Sequence, residues 1–421
     1  MQKRLVLDNG MTLIMENTSS VRSVCVGIWV KTGAICETPA NNGVSHFIEH
    51  MLFKGTKTHS ARQIAEAMDS IGGQLNAFSA KEFTCFFAKV RDEHVEMVLK
   101  LLADMLKDSL FDVEEIEREK NVVVEEIKMY EDAPDELIHD MFSQALFKNH
   151  SIGYPILGTE ETVKSLSRED IVGYFNQNYL ASNILVTAVG NFKIPRLTSL
   201  IKKHFKFMDM RGGYKPKKIA APEFAINHQI KEKNVEQVHM VIGAPGINEL
   251  DEDRYKLYIL NSIFGGSMSS RLFQEVRENR GLAYSIFSYA TLYKFSGLFA
   301  VYAGCSYKDC DTVAELILKE IEKIKNDEVS STELVRAKEQ LKGNIILSLE
   351  SINSRMNRMG RNEIYFNRQV PIDEVLTKID AINAADVSYI AKKLFKKSKM
   401  AVSIIGPADE EKKLSRCLSM M

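Results

Sequence analysis

The sequence predicts an α+β protein made of two homologous halves, each an αβ sandwich with an antiparallel-rich sheet flanked by helices. Three observations lead there. Strand-like runs alternate with paired amphipathic helices and tight hairpins. The element order of the first half recurs in the second. Corresponding residues also keep a nearly constant spacing: 216 positions separate Asp170 from Asp386, Ile171 from Val387, Val186 from Val402 and Gly190 from Gly406. The spacing is 218 for Glu115 and Glu333, Arg118 and Arg336, and Lys120 and Lys338. A spacing that shifts slightly marks insertions in a duplicated domain and not a short-period solenoid.

The elements follow in order. Leu5–Leu7 and Thr12–Met15 flank Asn9-Gly10, a hairpin turn signal. Val24–Lys31 reads as a mostly buried strand. Helical patterns cover about Gly43–Phe53 and Ala61–Ile71, and Gly72-Gly73 then opens two strands, Gln74–Ser79 and Phe83–Val90. Long helical patterns follow over Glu93–Lys107 and Val113–Tyr130, and the half closes with a helix near Arg168–Asn176 and the strand Ile184–Gly190. The second half repeats this order. A strand at Val238–Gly243 leads to helical Asp251–Ile263 and Ser270–Glu278, and strands at Ala283–Ala290 and Gly297–Ala303 come next. Helices Thr312–Lys325 and Thr332–Leu349 precede a last helix and the strand Met400–Gly406.

At 421 residues the chain should hold two or three domains. A stretch rich in glycine, proline and lysine sets the linker at 211–222, between domains 1–210 and 223–421. The balance of 55 Lys plus Arg against 56 Asp plus Glu gives no global field for nucleic acid or an anionic membrane. No apolar run is long enough to span a bilayer, and Met1–Gly10 lacks the apolar core of a secretory signal. The six cysteines are scattered without metal-ligand spacing, which suits free thiols in a reducing cytoplasm.

The chemistry concentrates in residues 43–56, G-V-S-H-F-I-E-H-M-L-F-K-G-T. On a helix His46 and His50 stand one turn apart on one face, as two imidazoles must to chelate one ion. Glu49 shares that face, close enough to take a proton from water at the metal without occupying a ligand position. Phe47, Ile48, Met51 and Leu52 would dry the flanks. A catalytic zinc usually has three protein ligands, so one more is needed. The glutamate-rich helix Glu114–Ile127 can supply it: Glu119 and Glu126 lie two turns apart on one face, with Val122 and Val123 between them suiting a buried stripe. Taken singly, the histidines could be satisfied core residues and the acidic helix a solvated face.

H-F-I-E-H is the inverted zinc motif, and Glu126 stands 76 residues after His50. With these features the whole chain resembles the pitrilysin, insulin-degrading enzyme and mitochondrial processing peptidase family, nearest its short processing-peptidase-like bacterial branch. The resemblance implies one zinc ion per chain held by His46, His50 and Glu126, with Glu49 as general base and Glu119 as the carboxylate that orients a ligand. It also implies that G-G-Q-L-N-A-F-S (Gly72–Ser79) is the edge strand on which a peptide lies as an added strand, contacted by Asn76 and Ala77. In F-G-G-S-M-S-S-R-L-F-Q-E-V-R-E-N-R-G-L-A-Y-S, Arg277 and Tyr284 fall on the family's substrate-binding Arg and Tyr, and Tyr284 could donate to the developing oxyanion. On structural grounds alone Arg277 could be a surface helix residue.

The second half cannot hold such a metal. All nine histidines lie at or before His239, and the counterparts of Glu119 and Glu126 are Ala337 and Asn344. One half is therefore expected to be chemical and the other to support it, with a clamshell-type chamber between them. The expected activity is that of a zinc metalloendopeptidase acting on extended peptides or presequence-like segments, and a homodimer or a homologous partner subunit is expected. Whether Arg277 and Tyr284 act in cis or in trans is open. Two rival expectations stand beside this: a catalytically silent paralogue serving as scaffold or regulatory subunit, and a metallohydrolase of small amides or esters.

Overall fold

In the computed structural model, which describes residues 2–210, 217 and 219–407, the first half runs as follows. Its elements are β1 (Gln2–Val6), β2 (Thr12–Asn17), β3 (Ser23–Val30), α1 (Val44–Met51), α2 (Ala61–Asp69), β4 (Gln74–Ser79) and β5 (Thr84–Arg91). Then come α3 (Val95–Asp108), α4 (Val113–Asp132), α5 (Pro134–Leu146), α6 (Glu160–Ser165), α7 (Arg168–Asn178), β6 (Ile184–Gly190) and α8 (Ile194–His204). The second half begins with β7 (His228–Glu232), β8 (Val238–Pro245), α9 (Arg254–Phe264), β9 (Ala283–Leu292) and β10 (Gly297–Cys305). It ends with α10 (Cys310–Asn326), α11 (Ser331–Ser348), α12 (Ile352–Phe366), α13 (Ile372–Asp380), α14 (Ala384–Leu394) and β11 (Ala401–Gly406). Positions 211–216 and 218 of the expected linker, and the C-terminal residues 408–421, lie outside the described residues.

Each half builds one sheet. The first has the order β1-β2-β6-β3-β5-β4 and the second β7-β11-β8-β10-β9. Apart from β1 the two orders correspond strand for strand, and so do the senses: β2 with β6 and β7 with β11 are parallel, every other pairing antiparallel. This is the duplication read from the sequence, seen as topology. The matching spacing also has a local cause, since Asp170 and Asp386 both stand third in a helix and close a capping box, with Ser167 and Asn383 respectively.

The chain folds into two compact units that do not follow its halves. One draws on 1–128, 154–219 and 348–369, the other on 129–153, 220–347 and 370–421. Each half therefore gives one helix to the other's sheet: α12 packs on β3 and β6, and α5 packs on β8 and β11. The two helices start 218 positions apart, at Pro134 and Ile352, so they are the same element of the repeat.

Strand alternation explains why the first sheet needs cover on both faces. Along β3, Val24, Val26, Ile28 and Val30 enter the core formed with α1, α3 and α7, whereas Cys25 and Trp29 point to the opposite side. There they meet Ile352, Met356 and Met359 of α12, together with Ile14, Leu185 and Val189 from neighbouring strands. The approach is close. A Cβ on Gly360 would stand 2.4 Å from the Trp29 ring, and one on Gly27 would stand 2.5 Å from Met356 Sδ. In the second unit Phe142 of α5 likewise crowds Gly243 of β8, 2.8 Å from where its Cβ would be. No helix among the described residues is long and apolar enough to cross a membrane.

Candidate metal centre

The helix carrying the histidine pair is held at its start by groups outside it. Gly43 caps α1 with φ 94°, a left-handed conformation glycine adopts freely, and a Cβ there would meet the Leu157 carbonyl oxygen at 2.6 Å. No side chain at the cap position supplies an acceptor. The buried Glu37 does so instead: its Oε2 accepts from the Gly43 N–H at 2.7 Å and from Asn42 Nδ2 at 2.8 Å, and its Oε1 accepts from the Ser45 N–H at 2.9 Å. Burial raises the Glu37 pKa while these donors pull it down. Phe47, Ile48, Met51 and Leu52 are essentially fully buried, so the opposite face, with His46, Glu49 and His50, is the one left for chemistry.

On α4, Ile116, Val123, Val124 and Ile127 anchor the helix in the core. Val122 is half exposed, contrary to the buried stripe expected for Val122 and Val123 together. At 100° per residue the buried positions 116, 119, 123, 124 and 127 fall on one arc of the helix, and position 122 lies outside that arc. That orientation brings both glutamates to α1. Glu119 is buried, and its Oε1 lies 2.8 Å from His50 Nδ1. Glu126 is half exposed, and its Oε2 lies 3.7 Å from His46 Nε2 and 3.6 Å from His50 Nε2.

The two histidine Nε2 atoms are 3.2 Å apart. Ligands about 2.0–2.1 Å from a tetrahedral zinc stand about 3.3 Å from one another, so these three separations describe one face of such a tetrahedron within a few tenths of an ångström. His46, His50 and Glu126 form the group among the described residues whose donor atoms converge in this way. The three residues fit the ion, and a tetrahedral zinc held by them would keep a fourth position for water.

A histidine must be neutral to bind a metal, and electrostatics acts in opposite directions on the two imidazoles. Burial, aided by His50, pushes the His46 pKa down to about 3, so its imidazole is neutral at physiological pH. The His46 Nδ1 is buried and makes no hydrogen bond. For His50, burial opposes the charge, but the bond to Glu119 and the carboxylates of Glu119, Glu126 and Glu49 prevail and raise its pKa. Burial likewise resists ionisation of Glu119, yet its bonds with His50 and Lys54 outweigh it and hold the carboxyl below the usual range. Burial raises the pKa of Glu49, with an opposing contribution from Ser79, whose Oγ donates to Glu49 Oε2 at 2.6 Å.

Ser79, Lys54 and Glu37 were not expected at the site. Ser79 has a signal in strand alternation, since it shares a face of β4 with Leu75 and Ala77, which pack on the α1 side. Lys54 lies just past the end of α1 at Met51, so helical periodicity does not mark it. Glu37 has none: it stands six residues before the cap it serves, in a turn with no periodic pattern.

The remaining expected residues fall in two places. Asn76 and Ala77 lie on β4, which is the edge of its sheet, and the Ala77 N–H donates to the Asn76 side-chain oxygen at 2.8 Å. Arg277 and Tyr284 belong to the other unit. There the expected α-helix over Ser270–Glu278 contains a π-helical turn, Phe273–Glu278, and the Arg277 guanidinium stacks 4.7 Å from the Phe273 ring centroid and 5.2 Å from that of Tyr284. Tyr284 is 77% exposed.

Comparison with known proteins agrees with the motif. Residues 12–160 match the family model Insulinase (Peptidase family M16), and residues 165–341 match Peptidase M16 inactive domain. An uncharacterized zinc protease of Bacillus subtilis, YmxG, is 44% identical over 97% of this chain and 99% of its own length. One from Streptomyces coelicolor is 36% identical over 98% of this chain and 91% of its own. Among solved structures, that of a protease from Helicobacter pylori superposes with a TM-score of 0.89 at 21% identity, covering 97% of this chain and 99% of that one, and so shares the fold. On the strength of both models and these relatives, the chain belongs to peptidase family M16, the insulinase family.

Proposed function

We propose that this protein is a zinc-dependent endopeptidase that cleaves extended peptides, with His46, His50 and Glu126 as metal ligands and Glu49 as general base. The observation that carries this reading is the triangle of donor atoms, spaced for a tetrahedral ion, with a partly buried carboxylate on the same helix face. Zinc held there would supply Lewis acidity, lowering the pKa of water and polarising a carbonyl.

The chain's own groups do the rest. Glu49 takes a proton from the attacking water and returns it to the leaving amine, a task suited by a pKa raised through burial. Ser79 fixes one oxygen of Glu49, which leaves the other to work. The free edge of β4 offers its backbone groups to an incoming strand, and the Asn76 side chain, which occupies the Ala77 N–H, would swing aside to bind the peptide itself. Arg277 and Tyr284, of this chain or of a partner subunit, bind peptide in the same reading, with Tyr284 donating to the oxyanion. An edge strand selects unstructured substrates, because only an extended segment can pair with it. The N-terminal half is then the chemical one and the C-terminal half the support, and assembly as a homodimer or with a homologous subunit belongs to the same reading.

The test is Glu49→Gln. The variant is expected to bind zinc like the parent and to lose all detectable cleavage of a quenched peptide library, which in the parent a chelator abolishes. Loss of zinc by the variant would make Glu49 structural. A parent that is metal-loaded yet inert on every peptide would point to a scaffold, and one active on small esters alone would point to a different hydrolase.

A further inference from the structure

The two glutamates of α4 share a face and both reach the histidine pair, yet only one points an oxygen at the space between the two Nε2 atoms. Something distinguishes them. Glu119 has both oxygens occupied: Oε1 is 2.8 Å from His50 Nδ1, and Oε2 is 2.6 Å from Lys54 Nζ. The carboxylate side chain is 4% exposed, so water cannot take over either contact, while Lys54 remains 31% exposed. No hydrogen bond ties the Glu126 oxygens, which face the imidazoles at 3.6 and 3.7 Å.

We propose that Lys54 is a positioning residue for the metal centre: it holds Glu119 out of the ligand set and against His50 Nδ1, so that His50 presents Nε2 and Glu126 alone completes the triad. This rests on the metal-site reading above and adds to it the group that fixes the ligand set. The geometry has a chain of consequence. A carboxylate released on one side can rotate about its last torsion, which is soft. Rotation would carry Oε1 off the Nδ1–H and leave the imidazole free to turn, or carry an oxygen into the metal space in competition with Glu126. Partners that orient a ligating histidine typically matter tenfold to a hundredfold in metal affinity.

The sign of the effect separates this role from a simple field effect. Lys54 is a cation near a site for a dication, so through charge alone its removal would tighten zinc binding. Positioning predicts the opposite. Zinc dissociation constants, read by competition with a chromophoric chelator on the full chain, should rise about ten- to a hundredfold for Lys54→Met. Lys54→Arg, which keeps a donor in reach, should recover most of the loss. In the Glu119→Gln background the Lys54→Met change should have little further effect, since both act through one carboxylate.

Unchanged or tighter zinc binding by Lys54→Met would overturn the inference and leave the metal site standing. Equal losses with and without Glu119 would also overturn it, because Lys54 would then act by another route. A parent chain that binds no zinc would remove both this inference and the reading beneath it. Thermal unfolding of each metal-free variant shows whether the fold is intact, and a lowered midpoint in Lys54→Met with Lys54→Arg and Glu119→Gln unaffected in zinc affinity would assign Lys54 to the fold and not to the metal.

Discussion

Glu119 and Glu126 show how far seven residues on one helix can differ in role. In sequence both were eligible as third ligand, and helical periodicity alone could not choose. On the proposed reading the choice lies in a contact the pattern does not encode, the Lys54 bond that occupies the second oxygen of Glu119. The expected consequence is unequal: Glu119→Gln should weaken zinc about ten- to a hundredfold, and Glu126→Gln should weaken it further, because a ligand is lost and not merely its support. Isothermal titration of both variants would decide this, and equal losses would leave the third ligand unassigned. Ser79→Ala is a milder change. It frees the second oxygen of Glu49 without touching a ligand, so zinc affinity should match the parent while peptide turnover falls.

Placement of these residues depends on short elements whose ends are tied. Because Glu37 supplies the acceptors at the start of α1, Glu37→Ala would leave the Gly43 and Ser45 N–H groups unpaired in a buried setting. A buried donor left unsatisfied costs about 1–3 kcal/mol, so thermal unfolding of the metal-free protein should shift down and zinc affinity should fall with it. A midpoint equal to the parent's would mean that other groups cap the helix. In the second unit the π-helical turn sets Arg277 on the Phe273 ring. Such a stack contributes about 0.5–1 kcal/mol when exposed, so Phe273→Ala should raise KM for peptides roughly two- to fivefold with little change in kcat. Arg277→Lys should not restore what Arg277→Ala loses, since an ammonium lacks the flat face that stacks. Of these elements, β4, α1 and α4 were legible in the sequence from alternation and helical period, and β7, α5, α6, α8, α12 and α13 were not assigned. The π turn has the apolar spacing of an ordinary helix, because over so few residues the pattern does not separate i→i+4 from i→i+5 bonding.

The exchange of α5 and α12 explains what local patterns missed about the fold. Each helix has an ordinary amphipathic sequence, and nothing in it states which sheet it will cover. The spacing of 218 does identify them as one repeated element, but its destination follows only from packing. The far side of the first sheet exposes Ile14, Trp29, Leu185 and Val189 unless α12 covers it, and that helix is encoded more than a hundred and sixty positions beyond the last strand of the sheet. Hydrophobic burial scales with the area covered, so a fragment cut at the expected linker would be left with a large apolar face open to water. Residues 1–210 expressed alone should therefore be insoluble or only loosely structured, with α5 lacking its own sheet as well. Co-expression with residues 223–421 should return a soluble complex that binds zinc, since both exchanged helices are then present. Joining residues 348–369 to the 1–210 fragment should help in part and remove the need for the second fragment's α12. A 1–210 fragment that is monomeric, unfolds cooperatively and binds zinc as the full chain does would show that the exchanged helix is dispensable, and the apolar face around Trp29 would then have to be covered by rearrangement within the fragment itself.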